Sequence, residues 1–337
     1  MPADRSARAD DFEYDLPEEA VAQHPIEPRD RARLLVAGDG SAPVAHRTVA
    51  ELDRLLEPGD LLVVNDTRVL AARLLVTKST GGRAEVLLLE PTPTPDRWQA
   101  LVRPGRRLPP GTVLYLDDRP MVTVGEEVGD GRRVVEVAPD AMDRAGQVPL
   151  PPYITAPLAD PERYQTVFAR HPGSVAAPTA GLHLTDELLA RIADSGVGLE
   201  RVELRVGLGT FRPITAERVA DHEMHAERYV VSAEAWERIG SARRVVAVGT
   251  TVVRTLESVA ATGRLEGQTS LFIRRGHPWR VVDVLLTNFH VPRSSLLVLV
   301  DAFIGDRWRE LYRIAVEEGY RFLSFGDAML LERTEGR

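Results

Sequence analysis

The sequence contains no cysteine. That absence excludes disulfides, thiolate nucleophiles, zinc ribbons and iron–sulfur clusters, and it is compatible with a reducing compartment. Lysine is almost missing as well: Lys78 stands alone, and every other cation among the 42 Lys and Arg residues is arginine. The longest apolar run, "SSLLVLVDAFIG", is too short to span a bilayer, and "MPADRSARADDFEYDLPEEA" lacks the apolar centre of a signal peptide. A soluble cytoplasmic chain without membrane contact is expected. There is no internal repeat and no low-complexity tail. Without a Walker lysine, a G-x-S-x-G elbow or a kinase motif set, ATP use and serine hydrolysis have no support. Acids outnumber bases for a formal net charge of -8, which argues against nucleic-acid binding by bulk charge.

What is present is ordinary globular composition, 44% hydrophobic and 27% charged over 337 residues, enough for two domains. Several arginines are grouped: Arg103, Arg106 and Arg107 in "VRPGRRL", and Arg274, Arg275 and Arg280 in "RRGHPWR". A local basic groove on an acidic protein and a set of merely solvated faces are both consistent with that grouping.

Two regimes alternate along the chain. Between Leu70 and Ala138 six short β-rich runs, from "ARLLVTKS" to "RRVVEVA", are separated by turn-formers such as Thr80-Gly81-Gly82 and Pro109-Pro110-Gly111. Six closely spaced strands with no helix between them predict a small antiparallel β-barrel, because closure removes exposed edges. On either side the pattern is α/β: strands at "GDLLVVN", "ERVELRVG", "RRVVAVG" and "VVDVLLT", and helices from Thr185, at "VVRTLES" and around Trp308, Leu311, Tyr312 and Ala315, with Gly319 closing the last. The expected organisation is a discontinuous α/β domain, 1–68 and 151–337, interrupted by an inserted six-stranded barrel, 69–150.

The chemistry-bearing residues cluster at element ends. "PGSVAAPTAGLHLT" is a bare approach to a helix capped by Thr185, and Thr179, Gly181 and His183 lie in it. Small residues admit a ligand to the backbone and a helix start offers free N–H groups, while a tightly buried loop explains the same bareness. "VGLGTFRP" carries Gly207, Gly209, Thr210 and Phe211 after a strand, a fragment of a dinucleotide fingerprint that better suits a glycine-lined strand end beside a flat ligand. In "VGTTVVRTLES", Gly249, Thr250 and Thr251 form a strand-to-helix turn able to bind hydroxyls or phosphate. Arg254 and Glu257 share the helix face opposite Val253, Leu256 and Val259, as either functional groups or a surface ion pair. "DHEMHAE" places His222 and His225 three apart, as a two-histidine metal clamp would on a helix; no third ligand is evident, so no metal is expected. "TNFHVPRSS" (Asn288, Phe289, His290, Arg293) and "NDTR" (Asp66, Arg68) follow strands, where open α/β sheets keep their sites.

Taken in order, "EPRDRARLLV", "PGDLLVVNDTRV", "ERYQTVFARHPGSVAAPTAGLHLT", "VGLGTFRPI", "HEMHAE", "VGTTVVRTLES", "VVDVLLTNFHVPRSSLLVLV" and "YRFLSFGDAML" resemble the S-adenosylmethionine:tRNA ribosyltransferase-isomerase family of queuosine biosynthesis over nearly the whole chain. The resemblance implies an α/β domain interrupted by a small barrel, in agreement with the strand pattern. It implies transfer of the ribosyl part of S-adenosylmethionine, a co-substrate, to 7-aminomethyl-7-deazaguanine at the tRNA wobble position, giving epoxyqueuosine with release of adenine and methionine. His183, His222, His225 and His290 lie in matching segments and are candidates for base and acid, since histidine titrates near pH 6.5. Asp66 and Glu257 are the carboxylates expected to face the sulfonium or the acceptor amine, and Phe289 or Phe211 the ring beside the cation. Arg68, Arg103, Arg254 and Arg293 are candidates for tRNA phosphate or ligand carboxylate. Thr179, Gly181, Gly207, Gly209, Thr210, Gly249, Thr250, Thr251 and Asn288 complete the expected co-substrate site of a monomer. The chain departs from the family's usual pattern at Leu184, Arg205, Val252 and Ser270. A paralogue using the same ribosyl chemistry on another acceptor therefore stands as the alternative, ahead of a metal-dependent hydrolase on Asp221, His222 and His225 or a non-catalytic RNA-binding module.

Overall fold

The computed structural model describes residues 7–38, 40, 43–207 and 213–334. Gly209, Thr210 and Phe211 lie outside these residues. The chain divides into two compact units, one formed by Met1–Thr67, Pro151–His171 and Ala177–Arg337, the other by Arg68–Leu150 with Pro172–Ala176.

The first unit is built on strands that are apolar at nearly every position. In Asp60–Asn65 all six residues are buried, as expected of a strand covered on both faces. It lies between two parallel neighbours, Gly198–Leu204 and Arg244–Val248, and the latter pairs in parallel with Val284–Asn288. These four strands are the centre of a nine-stranded mixed sheet. Beyond Val284–Asn288 come Ala328–Glu332, antiparallel, then Arg33–Ala37 and Ala45–Thr48; beyond Gly198–Leu204 come the antiparallel Glu227–Val230 and Glu266–Thr269. The sheet is thus wider than the sequence pattern foretold.

The helices follow their signals. Thr185 caps Asp186–Asp194, its side chain accepting from Leu188 N–H at 3.1 Å. Arg307–Glu317 buries Trp308, Leu311, Tyr312 and Ala315, and Gly319 follows it at φ +66°. Thr250–Thr262 starts at Gly249, whose φ of +90° makes the sharp exit from Val248 possible without strain. Among the described residues no helix is long and apolar enough to cross a membrane.

The second unit is the expected antiparallel barrel. Its strands run in the order Arg73–Lys78, Arg83–Pro91, Arg97–Arg103, Arg132–Val137, Arg119–Gly129, Val113–Leu116, and the last pairs back to the first at Thr77–Tyr115 and Lys78–Leu114. Alternate residues such as Leu74, Val86, Leu88, Ala100, Leu114, Val124 and Val135 fill the inside. A short strand, Gly146–Gln147, is added beside Arg73 and Leu74.

The bare approach to Thr185 folds as a 3-10 turn, Thr179–His183, that is largely buried. A Cβ on Gly181 would stand 2.7 Å from Phe168 Cζ and 3.0 Å from Thr166 Cγ2. Close packing, and not room for a ligand, therefore demands the smallest residue at Gly181. Gly181→Ala is expected to destabilise the protein by about 1–3 kcal/mol through overpacking, read from urea denaturation; an unchanged midpoint would contradict this packing.

Candidate active site

The carboxyl ends of the central parallel strands bring polar groups together. Asn65 ends its strand with its Nδ2 donating to Leu204 O at 3.0 Å, while Oδ1 accepts from Leu204 N–H at 3.1 Å and Thr67 N–H at 3.2 Å. The same Nδ2 reaches the Thr251 hydroxyl at 3.4 Å. Two strands on, Asn288 accepts at Oδ1 from the Thr179 hydroxyl at 3.0 Å, and its Nδ2 lies 3.1 Å from His183 Nε2. Gly249 sits between, its Cα facing Ala180 closely enough that a Cβ would be 3.5 Å from the alanine methyl. A small recess of about 30 Å³ opens here, lined by Tyr153, Thr179, Asn288, His290, Ser294 and Ser324 among others. Tyr153 and Ser324, joined hydroxyl to hydroxyl at 2.8 Å, were not foreseen as site residues; the only signal was a hydroxyl in each of two segments read as connector and motif.

The carboxylates separate into three situations. Asp66, buried at the strand end, meets His171 Nδ1 at 3.2 Å, and His171 is largely exposed. Burial raises the Asp66 pKa, and the hydrogen bond and charge of His171 oppose the rise. His171 was missed because nothing in its own stretch marks a partner 105 residues away. Glu257 is wholly buried, and its oxygens accept from the N–H groups of Arg280, Val281 and Val282 and from His277 Nε2. Burial would raise its pKa, but the bonds from His277, Val282 and Val281 outweigh that and hold it below the ordinary range. It anchors the 277–282 loop to the helix. Glu227, unforeseen, is buried against Arg254 and also accepts from Gly207 N–H at 2.9 Å.

The profile of a family described as "Queuosine biosynthesis protein" matches residues 9–331. The chain belongs to this family. It is similar to proteins named S-adenosylmethionine:tRNA ribosyltransferase-isomerase, for example from Rubrobacter xylanophilus, 50% identical over 96% of this chain and 97% of the relative. The protein of that name from Symbiobacterium thermophilum is 51% identical over 96% of this chain and 99% of its own length. A crystal structure of S-adenosylmethionine tRNA ribosyltransferase from Thermotoga maritima is 36% identical, covers 95% of this chain and 99% of that chain, and superposes with a TM-score of 0.55.

Of the positions read as departures in the sequence, Leu184 and Val252 are fully buried apolar residues. Arg205 pairs with Glu203 at 2.8 Å, and Ser270 is exposed.

Other expected residues fall elsewhere. Arg254 is buried, bound to Glu227 and to the carbonyls of Thr269 and Leu271, so it cannot present its charge to RNA. The i, i+3 pairing with Glu257 does not form, because Thr250–Val259 is buried all round and each charge finds a distant partner. Phe289 is also core, its ring 4.8 Å from Phe322 and 5.4 Å from Tyr312. Arg293 is half-buried and paired with Asp10 at 3.4 Å, Arg68 is half-buried, and Arg103 is exposed. In the second arginine group, Arg275 is clasped by Asp301 and Asp306 at 2.7 and 2.6 Å. His222 and His225 follow the one-turn helix Val219–Asp221 in extended backbone, not on a helix. His222 packs edge-on against Phe272 at 5.4 Å and its pKa is lowered by burial and by His225. Among the described residues no group of three His, Asp or Glu could hold a metal ion.

Two histidines are buried without charge. Burial, with Arg321 and Arg29 nearby, lowers the His183 pKa to about 4; burial alone takes His290 to about 3, its Nε2 3.0 Å from the Thr287 hydroxyl. Well above pH 6.5 neither is positively charged in the folded or the unfolded chain. Below it the unfolded chain takes up protons that the folded chain refuses, so stability declines as pH falls toward those depressed values. The expected loss is about 2 kcal/mol per histidine between pH 6.5 and 5, measured by urea denaturation with His290→Gln as the control that removes its share; constant stability across that window would contradict neutral burial. Arg254→Ala, which strands the Glu227 carboxylate, is expected to cost about 3–5 kcal/mol, and Arg254→Met with Glu227→Gln to recover part of it. A loss below about 1 kcal/mol in the same urea melts would mean the pair is effectively solvated.

Proposed function

We propose that this protein is a tRNA-modifying enzyme that moves the ribosyl part of S-adenosylmethionine to 7-aminomethyl-7-deazaguanine at the wobble position, isomerising it and releasing adenine and methionine. The observation that carries this reading is the match to the queuosine family over residues 9–331, with relatives of that named activity at about half identity along the whole chain. The strand-end cluster of Thr179, His183, Asn288 and His290 is where an open α/β sheet would take the nucleoside.

The chemistry asks for a proton to leave and a base to depart. The sulfonium acidifies the carbon beside it, so a base can begin the reaction, and adenine leaves once protonated. Asp66 and His171 form a unit suited to such transfers: the buried carboxylate lies against Nδ1 and orients the imidazole, with Nε2 on the other side of the ring. Arg68, Arg103 and Arg293 stand as the candidates for tRNA phosphate, and Arg254 is buried against Glu227. No step of this scheme requires a metal.

The test mixes the protein with S-adenosylmethionine and a tRNA carrying 7-aminomethyl-7-deazaguanine, and follows adenine by chromatography and the nucleoside by mass. Adenine and a modified nucleoside in equal amounts are expected. Binding of S-adenosylmethionine without product would shift the reading to the same ribosyl chemistry on another acceptor, and no binding at all would overturn it.

A further inference from the structure

We propose that Asn288 is a positioning residue that locks His183 in the neutral form with its proton on Nδ1, so that His183 serves ribosyl transfer as a hydrogen-bond donor and not as the base. The second half rests on the function proposed above; the first stands on geometry alone.

The orientation of the Asn288 amide is dictated by its neighbours. Besides His183, its Nδ2 lies 3.2 Å from Leu323 O and 3.4 Å from Asp327 O. Carbonyl oxygens only accept, so the group facing them must be the NH₂. Turned over, Oδ1 would press its lone pairs on two carbonyls. The hydroxyl of Thr179, which can donate, sits on the other side at 3.0 Å and completes the set.

That orientation decides the state of the ring. The NH₂ that faces the carbonyls also points at His183 Nε2 at 3.1 Å, and an N–H can donate only to a nitrogen that carries a lone pair. Nε2 is therefore unprotonated. A neutral imidazole then bears its proton on Nδ1, and an imidazolium is excluded while Asn288 holds its place. The 4% exposure of His183 leaves water little chance to substitute for this partner.

The clamp is itself held rigidly. Asn288 ends a strand in register with Ala328, and the carbonyls it uses belong to the turn that precedes Ala328. Leu323 adopts φ +68° in that turn, and a Cβ on Gly326 would lie 2.4 Å from Arg321 O. The Asp327 carboxylate fastens the turn by accepting from Arg33 N–H and Arg321 N–H, each at 2.8 Å. A tautomer imposed by so many fixed partners is a built property of the fold. Its chemical meaning is that the nitrogen able to take a proton is already occupied, whereas Nδ1–H can donate to a nitrogen or oxygen of the nucleoside. The base that begins the reaction must be another group.

The test reads the ring directly. In full-length protein with ¹⁵N-labelled histidine at pH 7, long-range ¹H–¹⁵N spectra, with His183 identified by the signals lost in His183→Gln, are expected to show a protonated Nδ1 and a bare Nε2. Asn288→Asp, which replaces the donor by an acceptor, is expected to move the proton to Nε2. A wild-type His183 protonated at Nε2, or at both nitrogens, would overturn the proposal even if the variant fails to fold. In the adenine-release assay, His183→Gln retains a donor but cannot take a proton, so it is expected to keep at least about 10-fold more kcat than His183→Ala, as the worth of one positioned donor suggests. Equal losses in the two variants would mean that His183 acts as the base. Should the wild type release no adenine, the proposed function falls while the tautomer, read without substrate, still stands or fails by its own spectrum.

Discussion

A polar group buried in this protein must find its hydrogen bond inside the protein, and at the carboxyl ends of the central strands that requirement organises the fold. The amide of Asn288 joins Thr179, His183, Leu323 and Asp327, four residues from two stretches far apart in sequence. Asn65 does the same for Leu204, Thr67 and Thr251. Each amide costs free energy if left unpaired, so the segments that satisfy it are pinned where a substrate would be met. Rigidity at the site and stability of the sheet thus have one source.

Charge is used in the same way. The chain is acidic overall, yet the acids and arginines that matter most to its architecture are internal. Glu257 gathers three backbone N–H groups of a loop, Glu227 and Arg254 neutralise each other beside Gly207, and the buried carboxylate of Asp60 is met by Arg244 from the next strand. Such groups are poor candidates for contact with substrate, because withdrawing one partner exposes the other to a low-dielectric interior. His171 over Asp66 differs from these pairs in keeping an edge exposed to solvent.

How far the sequence could be read follows from the range of each interaction. The Thr185 cap, the stripe of Trp308, Leu311, Tyr312 and Ala315 and the closed barrel were all legible, because capping, helical periodicity and turn-formers act within a few residues. The strands Arg33–Ala37 and Ala328–Glu332 are five residues each, too short to carry a clear period, and it is their pairing with each other that identifies them. The same limit explains Arg254 and Glu257. The Val253, Leu256 and Val259 stripe implied that the opposite face was wet, whereas the whole start of that helix is enclosed. Gly181 looked like an opening for a ligand and is instead the contact point of a turn with Phe168. Asn288 and His183 were both singled out in the sequence and the fold brings them together, but their contact spans 105 residues and no local pattern encodes it.

The order of strands has a consequence for synthesis of the chain. Asp60–Asn65 emerges before the barrel, yet both of its partners, Gly198–Leu204 and Arg244–Val248, emerge after it. At roughly 5–20 residues per second the ribosome would take on the order of ten seconds or more to deliver the second partner. During that interval a strand buried at every position has no ladder to join, while the strands of the barrel find their partners nearby in sequence. The inserted unit is therefore born first as a finished body, and the nascent strand waiting upstream of it is the stretch that a chaperone would have most reason to cover.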